Sequence, residues 1–185
     1  MSASHPQNPA GDPVLVVVTG PPGSGKSAIA AALRARLGLP LVAKDTLKEV
    51  LGEALHVEGR VDSQRLGGAI FVLLAHVVHE LLANDVSVIT EGNFTAQSAL
   101  FADLPSARIV QVHVTAEPEL LRARMLERAG DRHAVHWDRE AADEAAARAA
   151  TGEWAALPLA GELVEVDTTA WPNLDEIAAR VAQLV

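Results

Sequence analysis

Residues 14–27 read Val-Leu-Val-Val-Val-Thr-Gly-Pro-Pro-Gly-Ser-Gly-Lys-Ser, and no other stretch restricts the fold so tightly. An apolar, β-branched run of strand type enters a glycine-rich turn. Beyond the turn, Ile29, Leu33 and Leu37 recur at helical spacing until Gly38 ends the pattern. A strand, a turn of this composition and a helix in that order form the setting of a phosphate loop. Glycine lets the backbone curl until its N–H groups converge on an anion, where a Cβ would clash. The helix adds unpaired amides and the positive end of its dipole. Gly20, Pro21, Pro22, Gly23, Ser24, Gly25, Lys26, Ser27 and Ala28 are therefore the candidate phosphate-binding residues. Lys26 is placed to bridge the β- and γ-phosphates and Ser27 to hold Mg²⁺.

The rest of the chain alternates. Strands are expected at 40–43, 86–90, 108–114 and 163–166, and helices at 48–55, 64–82, 118–129, 138–150 and 174–184. Such alternation implies parallel pairing with right-handed crossovers. The expected fold class is α/β, a three-layer α/β/α nucleoside-triphosphatase fold with a parallel five-stranded sheet. Its 185 residues suffice for one domain, taken as 14–185, with a helical lid at about 118–150 and a disordered leader at 1–13. The chain lacks cysteine, which removes disulfides, thiol catalysis and thiolate metal sites. A formal net charge of −9 argues against a general nucleic-acid surface. The longest apolar run, 69–82, is interrupted by His76, His79 and Glu80 and falls short of the ~20 residues of a membrane span. A soluble, cytoplasmic protein is expected.

In parallel sheets the working residues gather at the carboxyl ends of strands. Asp45 stands past the second strand, where a carboxylate could take a proton from an acceptor hydroxyl; it could equally cap the next helix. Lys48 follows one turn later. Glu91 ends the third strand, as a residue of the Mg²⁺ shell, a second acceptor-orienting carboxylate, or an ordinary turn residue before Gly92, with Asn93 beside it. Arg124 and Arg128 lie four apart on one helical face, so both could reach phosphates, or pair with Glu127 and Asp131. His133 and His136 make a poor metal site without further ligands. His76 and His79 read as packing or partly exposed residues, and Trp137, Trp154 and Trp171 as packing residues or ones that bind a base or an acceptor.

These features, in this order, resemble the small phosphate-loop kinases of the zeta-toxin and chloramphenicol phosphotransferase type. The resemblance rests on residues 20–27, Asp45-Thr-Leu-Lys48, Glu91-Gly-Asn93 and Arg124-Met-Leu-Glu-Arg128. It implies ATP as phosphoryl donor with Mg²⁺, Asp45 as the acceptor-activating base, and Lys26, Arg124 and Arg128 on the phosphates. It also implies that residues 167–171, with Thr168 and Thr169, lie near the adenine. Lys48 stands where that group has Arg, and Glu91 where Asp is commoner. The expected activity is transfer of the γ-phosphate to a hydroxyl of a small molecule such as an antibiotic, nucleotide sugar or metabolite. Two other readings stay open: a nucleotide-dependent regulatory switch, and a polynucleotide 5′-kinase. Oligomeric state is not legible.

Overall fold

The computed structural model describes residues 11–131 and 133–185, so most of the expected leader lies outside the described residues. The elements run β1 (Val14–Thr19), α1 (Lys26–Leu37), β2 (Leu41–Ala43), α2 (Lys44–Ala54), α3 (Arg60–Ala83) and β3 (Val88–Glu91). They continue with β4 (Arg108–Thr115), α4 (Pro118–Arg128), α5 (Asp138–Ala150), β5 (Glu162–Asp167) and α6 (Leu174–Ala182). The five strands form one parallel sheet in the order β2-β3-β1-β4-β5, as the alternation predicts.

β1 is the centre of the molecule, and all six of its residues are buried. Successive side chains point to opposite faces of a strand, so its apolar run supplies two cores. Val14, Val16 and Val18 pack with Ile29 and Leu33 of α1 and Ala178 and Val181 of α6. Leu15 and Val17 pack on the other face with Leu74, Val78 and Leu82 of α3. Phe94 joins this second core edge-to-face with Phe71 and Phe101, ring centroids 5.9 Å apart in both pairs. Each such pair adds about 0.5–1.5 kcal/mol beyond area burial. The anchored Phe94 ties down the segment after β3 and so fixes Glu91 to Asn93.

α2 and α3 begin earlier than the expected 48–55 and 64–82. α2 starts at Lys44 directly from β2, with Ala43 in the capping position and no side-chain cap. Asp45 therefore sits inside the first turn, which removes the capping alternative. α3 starts at Arg60 behind Gly59 and runs for 24 residues. Its most apolar 18-residue window has a mean hydropathy of 1.9, so by length and composition α3 could cross a membrane, contrary to expectation; 39% of that window is buried in the fold. The three polar residues lie within one continuous helix of about 36 Å.

Candidate active site

At the carboxyl end of β1 the chain turns through the glycine loop, and three of its glycines are required by space as well as by dihedral angle. Gly20 (φ 143°) passes β4 so closely that a Cβ would lie 2.0 Å from the Val114 carbonyl oxygen. At Gly23 (φ 84°) a Cβ would meet the Leu121 carbonyl oxygen at 2.7 Å, and at Gly25 (φ 87°) the Trp171 ring at 2.9 Å. Gly25 also stands at the N-cap of α1 with no side chain across it. The loop thus keeps an uncovered helix start facing a cavity of about 460 Å³, lined on this side by Gly23, Gly25, Lys26 and Ser27. Pro22 joins them, while Gly20, Pro21, Ser24 and Ala28 are not among the lining residues. Ser24 is fully buried, its Oγ without a partner, and its carbonyl accepts from the Thr168 hydroxyl at 2.9 Å.

Lys26 is 8% exposed, and its Nζ donates to the Pro21 carbonyl at 2.8 Å. Burial lowers its pKa from 10.5 to about 8, against the opposing pull of Glu91 and Asp45. Those two carboxylates reach the same cavity from different elements. Glu91, at the end of β3, lies level with Val18 of β1 and Ala43 of β2 and is 3% exposed. Asp45 projects from the first turn of α2, with Lys44 Nζ 3.3 Å from its Oδ1. Ser27, Asp45 and Glu91 offer a hydroxyl and two carboxylates, the hard oxygen donors that suit Mg²⁺.

The two arginines expected to act together are divided. Arg128 lines the cavity, and its Nε donates to Asp138 Oδ2 at 2.6 Å. Asp138 opens α5 and is 7% exposed, so Arg128 is held by a residue ten positions on and not by Glu127 or Asp131. Arg124 turns the other way and ties the glycine loop to the segment after β5. Its guanidinium donates to Thr168 Oγ1 at 3.0 Å and to the Thr168 carbonyl at 2.7 Å, and stands 5.6 Å from the Trp171 ring. Thr168 is fully buried and Thr169 Oγ1 accepts from the Glu117 N–H at 3.1 Å, so neither lines the cavity. Both belong to the wall behind the loop, on the Arg124 side.

A family model described as an AAA domain matches residues 15–151, a span that includes the glycine loop, both carboxylates and both arginines. The chain belongs to the AAA domain family. A Chloroflexus aurantiacus j-10-fl protein put forward as a kinase shares 32% identity with this AAA domain protein, with a TM-score of 0.83, covering 95% of this chain and 100% of its own. Two further structures share the fold alone. A shikimate kinase from Bacteroides thetaiotaomicron is 17% identical (TM-score 0.56, 93% and 97% covered). A gluconokinase from Sinorhizobium meliloti 1021 is 21% identical (TM-score 0.51, 93% and 94% covered). No functionally curated protein is significantly similar. The fold is that of a phosphate-loop kinase.

Away from the glycine loop, this AAA domain's cavity continues between α2–α3 and the α4–α5 pair. Gly67 and Gly68 of α3 leave its wall bare; an added Cβ at Gly67 would lie 3.9 Å from Lys48, and at Gly68 it would meet nothing within 4 Å. Lys48 is 7% exposed and donates to Ser63 Oγ at 2.7 Å and to the Val135 carbonyl at 3.1 Å. Ser63 Oγ also donates to that carbonyl. Val135 fills the gap between α2 and α3 with Leu66 and Ile70, and Gly52 leaves the room for it. His136 Nε2 lies 2.7 Å from Glu49 Oε1, which accounts for a histidine in this loop without a metal. No cluster of metal-ligating side chains occurs among the described residues. His79 packs with its Nε2 2.8 Å from the Leu100 carbonyl, while His76 is exposed.

Sequence reasoning missed Lys44, Arg60, Ser63 and Arg148, all of which line the cavity, as do Trp137 and Trp154. Lys44 neighbours Asp45 and could have been found once the start of α2 was known. The other three are scattered over α3 and α5. Only the folded chain brings them together.

Proposed function

We propose that this protein is an ATP-dependent phosphotransferase that moves the γ-phosphate of ATP to a hydroxyl of a small molecule, in the manner of the zeta-toxin and chloramphenicol phosphotransferase type of kinase. One observation carries this reading: a single cavity opens on a bare helix start and its lysine at one end, on the Asp45 and Glu91 carboxylates brought in by α2 and β3, and on unfilled space beyond. A hydrolytic switch has no use for that further space.

In the proposed reaction the amides of residues 23–27 and Lys26 hold the β- and γ-phosphates. Ser27 and the Glu91 carboxylate would hold Mg²⁺, which would supply positive charge beside the phosphates. Asp45 accepts the proton of the acceptor hydroxyl as its oxygen bonds to the γ-phosphorus. The bond from that phosphorus to the bridging oxygen breaks, and ADP leaves with the electron pair. Arg128, steadied by Asp138, lies where charge develops on the equatorial oxygens. Arg124 acts one layer back, holding the loop after β5 against the glycine loop. The α4–α5 pair serves as the lid, and acceptors sit between Lys48, Asn93 and the bare face of Gly67 and Gly68.

The test is acceptor-dependent ADP release across a panel of hydroxylated compounds. Turnover that depends on one class of compound, and that falls about 10²-fold or more in Asp45→Asn with nucleotide affinity unchanged, supports the proposal. ATP hydrolysis indifferent to every compound and to Asp45→Asn contradicts it.

A further inference from the structure

α3 is the most apolar helix of the protein, yet the fold covers only one side of it. Ser63, Leu66, Ile70, Leu74, Val78 and Leu82 face inward. The opposite face carries Arg65, Ala69, Val72, Leu73, His76 and Glu80, all exposed, with Val72 63% and Leu73 38% accessible. At 100° per residue these six fall within one stripe along the helix. The stripe also carries Asp62, beside Arg65 at its N-terminal end; a two-fold rotation about the apolar centre sets Arg65 of this pair at one end against Glu80 from the other end of the second copy.

We propose that the exposed face of α3 is a homodimer interface in which two copies of α3 pack antiparallel, the two-fold axis passing between Val72 and Leu73. That axis sets Val72 against the partner subunit's Leu73, and Ala69 against the partner subunit's His76. It also sets Arg65 against the partner subunit's Glu80. The two ionic pairs lie about 11 Å either side of the axis at 1.5 Å per residue, within reach of a long guanidinium side chain at a shallow crossing angle of about 20°. Ala69, next to the centre, lets the two backbones approach closely. Charge decides the occupant. Antiparallel register matches both ends at once, whereas parallel register would oppose Arg65 to its own copy and Glu80 to its own copy. Among the described residues Arg65 pairs with Asp62, one turn away at 3.4 Å on the exposed surface, and its side chain stays accessible. A contact of one helix per subunit lies at the low end of specific interfaces, about 1,200 Å² or less, so the dimer forms at micromolar concentration and dissociates on dilution.

Sedimentation equilibrium of the full chain, from about 1 to about 200 μM, tests this. The mass is expected to rise from 19.4 kDa towards twice that value. Val72→Asp, at an exposed position, should keep the mass at the monomer value and weaken association at least about tenfold. Arg65→Glu should weaken it several-fold, and adding Glu80→Arg should restore it. The chain contains no cysteine, so Val72→Cys alone should give a disulfide-linked dimer on mild oxidation, while Val50→Cys on α2 should not. A monomer at every concentration overturns the proposal. So does a dimer indifferent to Val72→Asp, or flotation of the protein with neutral phosphatidylcholine vesicles, which would assign the face to lipid.

Discussion

Lys26 shows how much a single side chain can cost its own fold. Its ammonium is buried, and burial outweighs the two nearby carboxylates, leaving the pKa at about 8. The folded value lies below the unfolded 10.5, so between those pH values the unfolded chain binds more protons. Stability therefore rises as pH climbs through that window, and below pH 8 the full penalty applies, on the order of 3 kcal/mol. Lys26→Met is expected to gain about 1–2 kcal/mol at pH 7, the rest being offset by the lost bond to the Pro21 carbonyl. Urea denaturation measures it, and a less stable Met variant would contradict the account. The same variant should lose phosphoryl transfer altogether. Phosphate binds the charged lysine, so nucleotide affinity should fall by up to about tenfold per unit as pH rises above 8, read by calorimetric titration from pH 7 to 9.5. Unchanged affinity across that range would place the phosphates elsewhere.

At the scale of the elements, the glycine loop, β1 and α1 were legible because one local pattern specifies all three. The start of α2 was not. Helices announce themselves through capping residues, and β2 runs into α2 at Ala43 with no side-chain cap, so Asp45 looked like the missing signal. The partner of Arg128 was hidden for another reason. Glu127 and Asp131 are adjacent in the chain, but the turn through residues 133–137 brings Asp138 back to the guanidinium. A similar long-range fit makes Gly52 testable. Alanine in place of a helical glycine ordinarily adds up to about 1 kcal/mol. Here the new Cβ would lie 2.8 Å from Val135 Cγ2, so Gly52→Ala should instead lose about 1–3 kcal/mol and expose residues 133–137 to protease. Limited proteolysis reads the second effect, and a stabilised, equally resistant variant would show that Val135 does not lock this loop. At Gly23 the obstacle is the Leu121 backbone oxygen, so Gly23→Ala should disturb the loop itself and cut nucleotide affinity by about tenfold or more, with a smaller effect on denaturation midpoint.

For the molecule as a whole, the parallel sheet and its strand order follow from alternation and from the buried character of β1. The topology places the glycine loop beside the end of β3, with β2 one strand farther out on the same side, and the rule that working residues gather at the carboxyl ends of parallel strands let Asp45 and Glu91 be selected before the fold was known. The far wall of the cavity, built from α3, α5 and Trp154, depends on packing between segments some 80 residues apart, and no local signal marks it. The central claim is that this cavity joins a phosphate cradle to an acceptor space across Lys26. A crystal structure with Mg²⁺ and a non-hydrolysable ATP analogue tests it most directly. The account predicts β- and γ-phosphate oxygens within hydrogen-bonding distance of the amides of residues 23–27, with Lys26 Nζ moved from the Pro21 carbonyl onto them and the γ-phosphate facing Asp45. A triphosphate bound elsewhere, with Lys26 still on Pro21, would contradict it.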